Sequence, residues 1–260
     1  IYRDVPLDIS FDDLKYKNCN IEELTNIYKE LGFYSLLKKL DDVNEEDEKK
    51  EEHNSIDNFK VITDINEVKI NEETAIWLDT TIGNYHDAEL LGISLYNNNL
   101  AYYIPFDILK NNYNVLNTEF NLFTYDYKKL IVIFNRYGIK VPKIVFDTMI
   151  SAYLLNYETK DDIAYLSNQM GHDLEFYEKV YGKGTRLHIP DEVEIAKNCI
   201  NKARFIYETK EELLNKLKDE EMLDLYYDIE HPLITVLGDM EYNGVYVCLL
   251  YTSDAADDMQ

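Results

Sequence analysis

Between residues 59 and 104 the chain reads as four short β-favouring runs, 59–63, 74–78, 90–96 and 100–104, separated by polar breaks. The last three lie close enough for an antiparallel meander. Asn97, Asn98 and Asn99 between two of them predict a hairpin loop, because Asn tolerates left-handed backbone and bonds its own main chain. From Tyr127 the period becomes helical. Leu130, Ile133 and Phe134 share one side of a helix predicted over 127–137 and closed by Gly138; a short strand follows at 144–146. Asp147 then caps a helix over 148–155, and Asp161 with Asp162 opens another that runs to residue 171. The longest helix spans 191–221 with apolar positions 196, 200, 203, 207, 214 and 217, a spacing that reads as a packing face and not as a ligand site. A meander followed by alternating helix and strand predicts an α/β layer with a mixed sheet and flanking helices.

Upstream, Leu24, Ile27, Tyr28 and Leu31 recur at helical spacing after Asn18 or Asn20 as cap, which makes residues 1–40 a short helical extension with an apolar face. Residues 41–52 hold eight acids, two lysines and one valine. Such a run buries too little surface to offset chain entropy, so residues 41–57 read as an acidic linker.

Composition narrows the class. With 260 residues, 46% of them hydrophobic, the chain supports one sizeable core plus flanking segments. Fifty acidic against 26 basic residues give a net charge of −24, which repels phosphate backbones and disfavours tight DNA binding by this chain alone. No apolar run approaches the roughly 20 residues that span a bilayer, no signal core follows Ile1, and the absence of an initiating Met suggests a fragment. Cys19, Cys199 and Cys248 are odd in number and far apart, which points to reduced cytosolic thiols and away from a disulfide framework or a zinc site.

Candidate chemistry centres on Asp79. A strand ending there would put its carboxylate at the edge of the sheet, where it could serve as a metal ligand or form a turn. Two-metal cleavage of nucleic acid holds its cations roughly 3.5 to 4 Å apart and needs several convergent carboxylates to offset them. Two residues on, the chain supplies Thr81. Asp87 and Glu89 could reach in only if their loop folded back. Asp126 reads as the N-cap of the helix after it, and Lys128 with Lys129 could meet a phosphate or simply face solvent. Gly182-Lys183-Gly184-Thr185 lacks phosphate-loop spacing and reads as a turn, and motifs for nucleophilic hydrolysis, zinc proteolysis and calcium sensing are absent.

Three stretches carry a resemblance. Arg3-Asp4-Val5-Pro6-Leu7 with Phe33-Tyr34-Ser35-Leu36-Leu37, Phe146-Asp147-Thr148-Met149 with Ala152-Tyr153-Leu154-Leu155-Asn156, and Glu230-His231-Pro232-Leu233 with Met240-Glu241-Tyr242-Asn243-Gly244-Val245 occur in this order. Together they resemble bacterial family A DNA polymerases of the DNA polymerase I type, from the end of the 5′ nuclease region through the 3′-5′ exonuclease-like domain. The resemblance implies a ribonuclease-H-like, DnaQ-type fold over 58–222, the end of the 5′ nuclease region at 1–40 and the start of a polymerase domain at 223–247. Residues 248–260 look like translated sequencing adapter and are set apart as a non-native tail.

Proofreading members of that family use an Asp-x-Glu pair, an Asp on the helix after the fourth strand and an Asp in a Tyr-x-x-x-Asp motif. By resemblance Asp79 matches the first carboxylate, Thr81 falls where the Glu should be and Leu130 takes the second Asp position. Tyr207-x-x-x-Glu211 echoes the third motif with Glu for Asp. Asn84-Tyr85-His86-Asp87-Ala88 resembles Bacillus-type enzymes whose exonuclease domain has lost activity. The resemblance therefore implies a vestigial site with no catalytic residue, no resident metal beyond a weak candidate ligand in Asp79, and Mg²⁺ only in the parent polymerase. It further implies a cytoplasmic monomer that meets DNA through that parent and no membrane. Two other readings stand beside it: an active exonuclease that recruits Asp87, Asp126 or Glu211 as substitute ligands, and an acidic protein-interaction module.

Overall fold

The structure, a computed structural model, describes residues 24, 25, 27, 28, 58–81, 84–182 and 184–246. The chain divides into two compact units, residues 1–52 and 53–260. In the first, Leu24, Thr25, Ile27 and Tyr28 are helical. The rest of the N-terminal extension, the linker at 41–57 and the tail at 248–260 lie outside the described residues.

The second unit is built on a six-stranded sheet in the order β1-β4-β3-β2-β5-β6. Its strands are β1 (Lys60–Val61), β2 (Thr74–Thr80), β3 (Leu90–Asn97), β4 (Leu100–Pro105), β5 (Leu122–Thr124) and β6 (Ile144–Asp147). β2, β3 and β4 form the antiparallel meander, β5 and β6 continue it in parallel beside β2, and β1 pairs in parallel with β4. At the β3–β4 turn the Asn97 side chain accepts from the backbone N–H groups of Asn99 and Leu100. The helices are α1 (Phe106–Leu109), α2 (Tyr127–Arg136), α3 (Thr148–Leu154), α4 (Ala164–Gln169), α5 (Tyr177–Tyr181) and α6 (Glu192–Asp219). Beyond them α7 (Leu223–Leu225) leads through a π-helical turn, Tyr226–Glu230, into α8 (His231–Asn243). β5 and α5 are too short for periodicity to reveal in the sequence.

β2 differs from its sequence reading in a way that matters. It continues one residue past Asp79 to Thr80 and lies between β3 and β5, so Asp79 is the next-to-last residue of an interior strand. Both faces of the strand are covered, which explains why it reads as an almost unbroken apolar run. Ile76 and Leu78 join Leu130, Ile133 and Phe134 of α2 on one side. Ala75 joins Phe123, Phe146 and the α6 residues Ala203, Phe205 and Ile206 on the other. Because side chains alternate, Trp77 and Asp79 share the α6 side with Ala75.

Two polar contacts fix the helices to this sheet. Asp147, 1% exposed, ends β6 and caps α3: its Oδ1 accepts from the N–H groups of Met149 (2.8 Å) and Ile150 (3.1 Å), and its Oδ2 from Tyr127 N–H at the start of α2 (2.7 Å). Its own N–H donates to the hydroxyl of the fully buried Tyr226 (2.7 Å), which ties in the π-helical turn. On the far side α8 crosses α2 at Gly238, where an added Cβ would meet Ile131 Cγ2 at 2.8 Å. Lys128 donates to Glu241 (2.6 Å) and Tyr85 donates to the same carboxylate, closing the contact.

Two expectations follow. Asp147→Ala should lower unfolding stability by about 2 to 4 kcal/mol, the loss of a cap plus a stranded buried N–H at Tyr127; a urea midpoint unchanged within error would refute the role given to Asp147. Gly238→Val should force α8 away from α2 and lower stability by roughly 1 to 3 kcal/mol. Limited proteolysis should then cut within 231–243 sooner than in the wild type, and equal cutting rates would remove the case for close packing there.

Candidate functional site around Asp79

Asp79 is 3% exposed, and its carboxylate is held by two tyrosines from different elements. Tyr181 of α5 donates to Oδ1 at 2.8 Å, and Tyr103 of β4 donates to Oδ2 at 3.2 Å. Tyr103 can reach only because Gly92 is paired opposite Asp79 across the β2–β3 ladder: an added Cβ at Gly92 would lie 2.6 Å from the Tyr103 hydroxyl. Tyr181 is set by Tyr177, whose ring stacks on it at 4.2 Å, while the Tyr177 hydroxyl donates to Thr80 O at 3.4 Å. Burial raises the Asp79 carboxyl above its ordinary range, and the Tyr181 hydrogen bond, the Lys202 charge and the Tyr103 hydrogen bond oppose it. Burial also pushes both phenols up, so both remain donors.

α6 brings a cation instead of a carboxylate. Cys199 packs its buried thiol against Asp79, and Lys202, on the next turn and 3% exposed, carries the charge that acts on it. The Lys202 ammonium sits 5.0 Å from the centroid of the Trp77 ring and 5.8 Å from that of Tyr177. Trp77 precedes Asp79 by two residues on the same face of β2. Lys202 ends an Asn198-x-x-x-Lys202 stretch, which has the i, i+4 spacing sought at Tyr207-x-x-x-Glu211.

The other sequence candidates are scattered. Thr81 spends its hydroxyl oxygen accepting from Glu89 N–H (2.8 Å), beside a bulge between Asp79 and Thr80. Leu130, in α2, is fully buried in the apolar core against the face of β2 opposite Asp79. Asp126 is the N-cap of α2, accepting from Lys129 N–H at 2.9 Å, with its carboxyl raised by burial. Asp87 and Glu89 are exposed. Tyr207 and Glu211 belong to the other end of α6. The Tyr207 hydroxyl accepts from Asn98 at the β3–β4 hairpin, and the Glu211 side chain is 75% exposed, 3.7 Å from Lys210. Glu211 is twelve residues beyond Cys199, which places it about 18 Å along the axis from Asp79. Lys128 is paired with Glu241, and Gly182 turns with φ +78° before the 3₁₀ turn Gly184–Arg186.

Lys129 stands between the groups that remain. Burial lowers its ammonium pKa, and the nearby charges of Asp126, Asp161 and Asp79 work against that. With Trp77, Tyr85, Tyr125 and Leu130 it lines a cavity of about 50 Å³, enough for a water or two and far below the volume of a nucleotide. Among the described residues no three His, Cys, Asp or Glu side chains converge where a metal could be held. A pair of divalent ions does not fit the donor set at Asp79: two tyrosine hydroxyls, a buried thiol and a lysine charge are what meets its carboxylate. Sequence reasoning missed Lys202, Tyr103, Tyr181 and Gly92. The one visible signal was a lysine within the apolar stripe of the longest helix.

Comparison with known proteins gives the lineage. The family described as DNA polymerase I, ribonuclease H-like domain, matches residues 76–209. The DNA polymerase I of Bacillus subtilis is 32% identical over 253 residues, covering 95% of this chain and 29% of that protein. The Geobacillus stearothermophilus DNA polymerase I is 30% identical, covering 95% and 28%. The chain thus spans less than a third of the length of these relatives. Among solved structures, Escherichia coli RNase D, an exoribonuclease involved in structured RNA processing, superposes with a TM-score of 0.56 at 16% identity, covering 73% of this chain and 52% of that one. Brucella melitensis NrnC with bound Mg²⁺ gives 0.54 at 11%, covering 71% and 91%. These two share the fold, a ribonuclease-H-like mixed sheet with flanking helices. The chain belongs to the DNA polymerase I family and carries its ribonuclease H-like domain.

Proposed function

We propose that this chain is the part of a DNA polymerase I whose ribonuclease H-like domain no longer cleaves nucleic acid and serves as a rigid spacer for the polymerase core. The observation that carries the reading is the company of Asp79: Tyr103 and Tyr181 donate to it and Lys202 brings positive charge, while the positions that the resemblance matches to carboxylates hold Thr81 and Leu130. In-line displacement at phosphorus needs cations to generate hydroxide and to stabilise the leaving oxygen. One carboxylate beside a built-in ammonium gives neither. Mg²⁺ then belongs to the polymerase site elsewhere in the parent protein, DNA is met through that parent, and the protein is a cytoplasmic monomer. In keeping with this, no described helix is long and apolar enough to cross a membrane.

The direct test is incubation of the purified chain with 3′-labelled single-stranded DNA in Mg²⁺ and then Mn²⁺. Release of nucleotides should not rise above that of Asp79→Ala. Metal-dependent release that Asp79→Ala abolishes would establish the active-exonuclease reading instead.

A carboxylate that no metal neutralises should also burden the fold. Because burial holds the folded Asp79 carboxyl above its ordinary 3.8, the native state binds more protons than the unfolded chain across the window that opens at that value. Stability from this group therefore falls as pH rises through the window. Asp79→Asn should gain stability over wild type at neutral pH, and the gain should vanish as pH falls toward 4. A difference that grows on acidification would contradict the assignment.

A further inference from the structure

We infer that Lys202 is the internal counter-cation of Asp79 and the residue that excludes divalent metal from this cleft. The inference rests on the spacer reading and names the side chain responsible for it. The geometry is specific. Lys202 is 3% exposed although lysine is almost never fully buried without a partner, and it lies on the face of α6 that packs against β2. Its ammonium rests on the Trp77 ring at 5.0 Å and faces Tyr177 at 5.8 Å. Trp77 leads into Asp79 along β2, and Tyr177 stacks on Tyr181, which donates to Asp79. The aromatic box and the carboxylate are thus one assembly. A desolvated ammonium inside it offers positive charge without open coordination positions, so a divalent ion entering would meet repulsion and find too few oxygens.

Lys129 adds to this field from α2, since its ammonium interacts with both Asp79 and Lys202. It also answers Asp126 and Asp161, whereas Lys202 sits in the aromatic box beside Asp79.

The test uses the full 260-residue chain. Lys202→Met, Asp79→Asn and the double variant form a thermodynamic cycle read by thermal melting. Lys202→Met alone should lower Tm by about 4 °C or more, and the loss should shrink clearly in the Asp79→Asn background, because a counter-charge has no effect without its carboxylate. A purely packing role predicts additive shifts, and additivity would overturn the proposal. In parallel, Lys202→Asp/Thr81→Glu is titrated with Mn²⁺ and bound metal is followed by the loss of the free-ion electron paramagnetic resonance signal. This variant should gain an Mn²⁺ site that Asp79→Asn removes, with Tm rising about 5 to 10 °C when Mn²⁺ stands at roughly 100 times its Kd. Wild type should show no binding that depends on Asp79. A folded Lys202→Asp/Thr81→Glu protein silent to Mn²⁺, or a wild type that binds it through Asp79, would overturn metal exclusion. DNA degradation by the wild type would sink the spacer reading, whereas an inert wild type with an additive cycle would sink only the assignment to Lys202.

Discussion

A carboxylate taken out of water must be met by charge or by hydrogen bonds where it stands, and Asp79 is 3% exposed on an interior strand of the sheet. The surrounding fold answers that demand from three directions. α5 and β4 each bring a tyrosine hydroxyl, and α6 brings the ammonium of Lys202. Each donor depends on a further choice elsewhere. Gly92 makes room for Tyr103, Tyr177 props Tyr181, and Trp77 gives Lys202 a surface to rest on. A dinuclear metal centre would need these groups replaced by oxygen ligands that leave coordination positions open. The arrangement is a buried polar cluster held by hydrogen bonds.

That cluster is compatible with a domain kept for shape. Both faces of β2 are covered, Asp147 joins α2, α3 and the π-helical turn in one hydrogen-bonded node, and α8 seats on α2 through Gly238 and Glu241. The chain as a whole carries a net charge of −24.

Much of the fold was legible from pattern alone. The meander, the Asn hairpin, α2 with its Gly138 stop, Asp147 as a cap and the long α6 each carry a local signal: alternation, a turn residue, an N-cap or helical spacing. β5 and α5 carried too few residues for any period, although β5 is the strand that joins the two halves of the sheet. The site was half legible. Asp79, Thr81 and Leu130 could be named by resemblance, whereas Tyr207 and Glu211 lie toward the end of α6 away from Asp79. A 28-residue helix offers many i, i+4 pairs, and only packing says which pair faces the strand.

By itself the sequence determined the lineage, the order of the elements and the shortage of carboxylates, because these follow from residue identity and from contacts among near neighbours in the chain. Tertiary structure decided that Asp79 belongs to an interior strand, that Lys202 stands over Trp77, and that Tyr103 and Tyr181 close on the carboxylate. Those groups come from residues 77 to 202, and no local pattern records their meeting. Charge balance at a buried point is a property of distances through space, and only the folded chain sets those distances.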